Sequence, residues 1–377
     1  AVILAGNCCS AADPAGDIRF SRDILPVLSE NCFYCHGPDE AQRQADLRLD
    51  TQQGAASAID RDSLTDSELL MRVFSTDPDE IMPPPDSNRR LSTAEKETLQ
   101  RWVAGGAVWG QHWSFESLVA PVVPPVAFAD YPVHNPIDAL VQARLAQKKL
   151  RPSAAAARHT LLRRVTRDIT GLPPTLEDLT DFMQDTSPDA YEQLVDRLLK
   201  SEAYGERMAW EWLDAARYAD TNGYQGDSER TMWPWRDWVV TAFNNNIPFD
   251  QFTTLQLAGD LLPDATAEQT LATGFCRNHM INGEGGRIPE ENRVDYVMDM
   301  AETMSTVWLG LTLNCCRCHD HKYDPLTQQE YYQFFAFFNQ TPVSGGGRNP
   351  QTPPVLAVPA ADQQTRLADL QQQSAQL

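Results

Sequence analysis

Cys32-Phe33-Tyr34-Cys35-His36 is the stretch on which the reading of the rest of the chain depends. Two thiols separated by two residues and followed at once by an imidazole have the C-x-x-C-H form used for c-type haem attachment. The thiols can add to the two vinyl groups of one haem while the histidine reaches the iron. With eight cysteines and seven histidines in 377 residues, chance alone would yield roughly 0.003 such motifs. Two are present, the second being Cys315-Cys316-Arg317-Cys318-His319. The competing readings of the first motif are a thiol redox pair or half of a zinc site.

Working outward from the first motif, a partner for the iron is expected later in the same domain. Ile81-Met82-Pro83-Pro84-Pro85 offers Met82, set in a rigid proline turn. A methionine is commonly core, but this one lies between the haem motif and a closing helix. Histidine with methionine favours reduced iron and raises the potential, as suits an electron carrier. The closing helix is announced by Ser92 and Glu95 at capping-box spacing, the stripe Leu99, Trp102 and Val103, and the stop Gly105-Gly106.

Around the second motif only Cys315 and Cys318 have the required spacing. A zinc site would use Cys315, Cys318 and His321 with a distant ligand, and would leave His319 unexplained. No methionine follows Cys318, so any distal ligand comes from upstream. His279 is the first choice, because it precedes the Gly-rich loop Asn282-Gly283-Glu284-Gly285-Gly286, and His112 is the second. If neither binds, His321, Lys322 and Glu284 would surround an open iron with groups able to move protons, and are the candidate catalytic residues. Cys276 and Cys316 are left over, and an oxidising compartment would permit a disulfide if the fold joins them.

The remaining sequence is read as helical almost throughout. Leu161, Leu162 and Val165 lead to a stop at Gly171-Leu172-Pro173-Pro174, and Thr175 caps a new helix. Ser187-Pro188 starts another, whose Tyr191, Leu194, Val195, Leu198 and Leu199 follow one helical face. Strand alternation is nearly absent, so an all-α fold is predicted, with a small cytochrome c-like domain followed by a larger, mainly helical one. The expected organisation is a tether at 1–16, a first domain at 17–110 and a Pro-rich linker at 111–135. A second haem domain at 136–356 and a helical tail at 357–377 follow, the tail reading as an interrupted coiled-coil connection.

A net charge of −21, from 31 basic and 52 acidic residues, repels phosphate backbones and argues against nucleic acid as partner. It suits solubility, or the steering of a basic redox partner. The apolar start Ala1-Val2-Ile3-Leu4-Ala5-Gly6 reads as the end of an export signal, so a periplasmic or cell-envelope location is expected. A lipid anchor at Cys8 stays open, although Asn7 stands where a small residue is usual. No apolar run approaches eighteen residues, and no transmembrane helix is expected.

With these residues in view, the chain resembles the planctomycete-type cytochrome c proteins, in which a cytochrome c module precedes a second domain of unknown function. The resemblance is carried by Phe20-Ser21-Arg22-Asp23-Ile24-Leu25-Pro26, both haem motifs and His112-Trp113-Ser114-Phe115. It continues through Leu162-Arg163-Arg164-Val165-Thr166, Arg217-Tyr218-Ala219-Asp220 and Ala258-Gly259-Asp260. It implies export, haem in the first module and a further haem in the second. Cys316 departs from the small residue expected between Cys315 and Arg317.

Three functions compete. The first is electron transfer by a protein with two covalently attached haem c groups, each iron held by two protein ligands. The second is a haem-dependent oxidoreductase, acting on a carbohydrate-derived substrate or peroxide, in which one iron stays open. The third is a carbohydrate-binding or scaffold protein using Trp233-Pro234-Trp235-Arg236-Asp237-Trp238, since exposed aromatics stack on sugars. Three tryptophans so close together are more often helix core.

Overall fold

Ser92 and Thr175 are real caps in the structure, a computed structural model that describes residues 18–61, 63–110, 113–224, 227–346 and 352–375, whereas the helix expected from Ser187-Pro188 starts at Ala190 behind Asp189, which makes no capping hydrogen bond. Among the described residues there is no strand, only an isolated bridge between Thr221 and Glu229. The fold is all-α. The chain divides into two compact units, one of Ala1–Ser153 with Lys322–Pro325, the other of Ala154–His321 with Leu326–Leu377.

In the first unit run α1 (Leu25–Asn31), α2 (Phe33–His36), α3 (Gln52–Ala55), α4 (Glu68–Phe74), α5 (Thr93–Ala104) and α6 (Pro136–Gln147). The Ser92 hydroxyl accepts from the Glu95 N–H, and the Glu95 carboxylate accepts from the Ser92 N–H at 2.6 Å. Two otherwise orphaned donors are thereby satisfied, worth about 1 kcal/mol. Leu99, Trp102 and Val103 of α5 are buried against Ile24, Leu28 and Val73. Phe20 and Trp109 complete an aromatic group with Trp102, the Phe20 and Trp109 rings 4.5 Å apart. Between α5 and α6 the regular structure among the described residues is one short turn, Trp113–Phe115.

The second unit begins with α7 (Arg158–Thr170), which ends at Gly171 with φ 74°, a left-handed cap that favours glycine. Then come α8 (Leu176–Gln184), capped by Thr175, and α9 (Ala190–Leu199). Leu194 and Leu198 are buried with Leu162, Val165 and Phe182. Tyr191 and Leu199 are exposed at 40% and 42%, so the buried face of α9 is narrower than its apolar spacing predicts. Next are α10 (Glu202–Ala215) and α11 (Trp233–Asn244), which meet where Gly205 donates its N–H to Asn244 Oδ1 at 2.8 Å. A Cβ on Gly205 would lie 2.5 Å from the Val240 carbonyl oxygen, so glycine is what permits the close crossing. After them come α12 (Phe249–Ala258), α13 (Ala267–Ala272), α14 (Pro289–Met304), α15 (Gln328–Phe338) and α16 (Ala361–Ala375).

Trp235 and Trp238 are buried core residues around Phe252 and Phe275, whereas Trp233 is 46% exposed. The tryptophan-rich stretch is therefore mostly interior, with one ring left outside. Cys276 and Cys316 are not bonded to each other and belong to different clusters, the first beside Tyr296 and Met300, the second with Leu313 and Tyr331. The disulfide that the sequence left open is not formed. No helix among the described residues is long and apolar enough to cross a membrane.

Candidate haem centres

The first motif sits at the junction of α1 and α2. The Cys32 carbonyl accepts from the Cys35 N–H at 3.2 Å and the His36 N–H at 2.8 Å, so one helical turn carries all three side chains. Gly37 must follow, because a Cβ there would lie 2.1 Å from the Phe33 carbonyl oxygen. The turn is tied to the returning chain by the Gln44 N–H on Cys35 O and the Leu49 N–H on His36 O, both 2.7 Å.

Cys32, Cys35 and His36 line a cavity of about 330 Å³ whose wall also includes Met82, Leu69 and Val73. Its size is that of a ligand pocket. Met82 is fixed by its backbone, the N–H donating to Arg72 O of α4 at 3.0 Å. The His36 Nδ1 atom is buried with no hydrogen-bond partner. Burial lowers the imidazole pKa below the usual range, and the Gln44 backbone offsets this only in part. A neutral ring is the form that binds a metal. Burial, with Cys35 adding to it, pushes the Cys32 thiol up to about 12. An apolar cavity holding two unoxidised thiols, a neutral histidine and a thioether fits a covalently held porphyrin iron. It fits a redox dithiol poorly, because such a pair needs a lowered thiol pKa.

Arg89 was not singled out by sequence reasoning. It lines the same cavity, lies over the Tyr34 ring at 4.7 Å and donates to the Glu30 carbonyl at 3.1 Å. Its cation suits the carboxylate side chains of a porphyrin. A basic residue 53 positions after His36 carries no local signal of that role.

The second motif also forms a turn, with the Cys315 carbonyl accepting from the Cys318 N–H at 3.3 Å and the His319 N–H at 3.4 Å. Cys315, Cys318 and His319 are exposed, and the intervening Cys316 is fully buried. Cys316 is thus the anchor of the turn, which accounts for an apolar residue where the resemblance leads one to expect a small one. A second anchor is Glu302 of α14, 7% exposed. Its carboxylate accepts from Arg317, from Asn314 Nδ2 at 2.7 Å and from the Tyr331 hydroxyl at 2.9 Å.

His279 is buried and stacks on Tyr296, ring centres 4.4 Å apart. Its Nδ1 faces the Met280 carbonyl at 2.9 Å and its Nε2 faces the Arg277 guanidinium at 3.2 Å. Both nitrogens are engaged, and burial, with Arg277 adding to it, pushes the ring down to about 3. Tyr296 and Glu302 are six residues apart on α14, which is about 9 Å along the axis and about 120° around it. His279 therefore stands beside the middle of α14 and the second motif's anchor near its C-terminal end. The Gly-rich loop lies on the His279 side, since the Asn282 N–H donates to the Tyr296 hydroxyl at 2.7 Å.

Glu284 is exposed on that loop, its N–H donating to Asn282 Oδ1 at 2.9 Å. The His321 N–H donates to the Leu326 carbonyl at 2.8 Å, and Lys322 lies over the Tyr323 ring at 5.2 Å. No hydrogen bond or ion pair joins Glu284 to His321. His112 lies outside the described residues. Among the described residues no three His, Cys, Asp or Glu side chains are gathered as a metal site would require, which disfavours the zinc reading of Cys315, Cys318 and His321.

No curated protein and no solved structure matches the chain. A family model described as Planctomycete cytochrome C matches residues 32–86, the span that holds Cys32, Cys35, His36 and Met82. A second, described as a protein of unknown function, DUF1549, matches residues 136–343, more than half the chain. With a cavity lined by Cys32, Cys35, His36 and Met82 in the first match and a helical domain in the second, the chain belongs to the planctomycete-type cytochrome c proteins, and is a c-type cytochrome whose covalent haem-binding module precedes a DUF1549 domain.

Proposed function

We propose that the protein is an exported, extracytoplasmic cytochrome with two haem c groups that transfers single electrons. The observation that carries this reading is the cavity shared by Cys32, Cys35, His36 and Met82. Cys32 and Cys35 hold the first haem by thioether bonds, with His36 and Met82 as its iron ligands. Cys315, Cys318 and His319 hold the second. Haem iron, when bound, supplies the one-electron couple. The chain's own residues set its potential and exclude water: Leu69 and Val73 keep the first site apolar, and the Met82 sulfur favours the reduced state. The net charge of −21 steers a basic partner toward the protein. The cytochrome module is assigned to 17–110, the linker to 111–135 and the second haem domain to 136–356.

A second reading, haem-dependent oxidation of a carbohydrate-derived substrate or reduction of peroxide, is favoured by the exposure of His319 and by the engagement of both His279 nitrogens. In that case His321, Lys322 and Glu284 would serve as proton carriers beside the second iron.

A pyridine haemochrome assay on the full chain tests the dihaem reading. Two haems per chain are expected, falling to one in a Cys32→Ser, Cys35→Ser double variant and to one in a Cys315→Ser, Cys318→Ser double variant. One haem in the unaltered chain would leave the second motif without a cofactor.

A further inference from the structure

The second unit contains a cavity of about 370 Å³ that none of Cys315, Cys318 and His319 lines. Its wall combines Arg277, Asp260, Trp233, Leu271 and Leu356. Its wall includes Trp233 and Asp260 from two stretches quoted in the sequence reading, and the haem chemistry makes no use of it.

The positive charge in this wall has no ion-pair partner, although Asp220 and Asp227 lie close enough to Arg230 to favour its charged form. Arg230, 6% exposed, donates to the carbonyls of His279 at 2.8 Å and Asn278 at 3.3 Å, and so serves to pin that segment. Arg277 donates to the Thr352 carbonyl at 2.8 Å and faces His279 at 3.2 Å. Neither arginine has a carboxylate within ion-pair distance. The nearby Asp220 spends its oxygens elsewhere, on the N–H groups of Met232 and Trp233 at 2.8 Å and on the Tyr218 hydroxyl. Burial and the neighbouring Arg230 together push Arg277 down to about 10. A half-buried cation next to another cation is costly unless a negative group joins it.

Hydrogen-bond capacity points the same way. A guanidinium has five N–H donors. One faces His279 and one Thr352, which leaves three of Arg277 without a protein acceptor. Asp260 is exposed and its carboxylate has neither hydrogen bond nor ion pair, although it lines the same cavity. Arg277 can only donate and Asp260 can only accept. Trp233 contributes a 46% exposed ring, and Leu271 and Leu356 contribute apolar surface.

From this arrangement we infer that the cavity binds a sugar acid: a ring bearing a carboxylate for Arg277, hydroxyl groups for Asp260 and a flat C–H face for Trp233. A neutral sugar leaves the arginine unanswered. A plain inorganic anion leaves Asp260 repelled and Trp233 unused. The cavity volume lies within the range of small-molecule sites. This inference is independent of the number of haems.

The test is isothermal titration calorimetry of the haem-loaded full chain with sodium D-glucuronate, with D-glucose and sodium sulfate at matched ionic strength as comparisons. Calorimetry is preferred because haem quenches tryptophan fluorescence. Saturable glucuronate binding is expected, at least about 10-fold tighter than glucose or sulfate, as losing one charge-assisted hydrogen bond implies. Asp260→Asn and Arg277→Lys should each weaken it about 10-fold, the lysine because it keeps the charge but loses the fork. Circular dichroism checks that the variants fold. If Arg277→Lys does not, Asp260→Asn decides alone, since that side chain has no hydrogen bond or ion pair to lose. Absent binding, glucose or sulfate binding as tightly as glucuronate, or unchanged affinity in a folded variant overturns the inference.

Discussion

Met82 illustrates how a single side chain is aimed by its backbone. Its N–H is tied to the end of α4, and three prolines follow, each with φ fixed near −65°. The thioether therefore enters the cavity from a segment with little freedom to withdraw. Met82→Ala should abolish the weak sulfur-to-iron charge-transfer band in the near-infrared and lower the first haem's potential, while the far-ultraviolet dichroism stays unchanged. Persistence of both the band and the potential would reduce Met82 to packing. At this scale the sequence was informative, because the motif and the proline turn are local. Arg89 and Glu302 were not legible for the opposite reason: each acts on residues far from it in the chain, and only the fold supplies the neighbour.

Among the elements, α5 and α8 were readable in advance because capping boxes and glycine stops are short-range signals written in three or four residues. The buried width of α9 was not, since exposure of Tyr191 and Leu199 depends on which helices pack beside it. The element that organises the second centre is α14. It carries Tyr296 under His279 near its middle, and Glu302, holding Asn314, Arg317 and Tyr331, near its C-terminal end. Glu302→Gln keeps the shape but leaves Arg317 without its counter-charge. The expected loss is about 2 kcal/mol, below the roughly 3–5 of a fully buried pair because Arg317 is 36% exposed. Thermal unfolding reads that loss. A positioning role predicts more: haem content should fall in a chain whose Cys32 and Cys35 are intact, and Glu302→Asp should restore it in part. Lower stability with full haem content would make Glu302 merely structural.

Across the whole molecule the two motifs share a local turn but differ in what surrounds them. The first is set into an apolar cavity that the Met82 side chain also lines. The second presents Cys315, Cys318 and His319 on an exposed surface. Its upstream histidine candidate, His279, has Nδ1 and Nε2 both engaged. His321, two residues from His319, cannot easily reach the opposite face of the same haem. On the proposed dihaem reading, one iron would have two firm ligands and the other a single firm ligand, which suits unequal tasks: storing or passing an electron at the first, exchanging a small ligand at the second. Electron paramagnetic resonance of the oxidised protein separates these states. One low-spin ferric centre and one high-spin centre that becomes low-spin on adding cyanide are expected. The Cys315→Ser, Cys318→Ser double variant should lose only the high-spin signal. Two low-spin, cyanide-inert centres would remove the open site and leave electron transfer as the task of both, with His279→Ala then testing whether that ring leaves Arg277 to bind the iron.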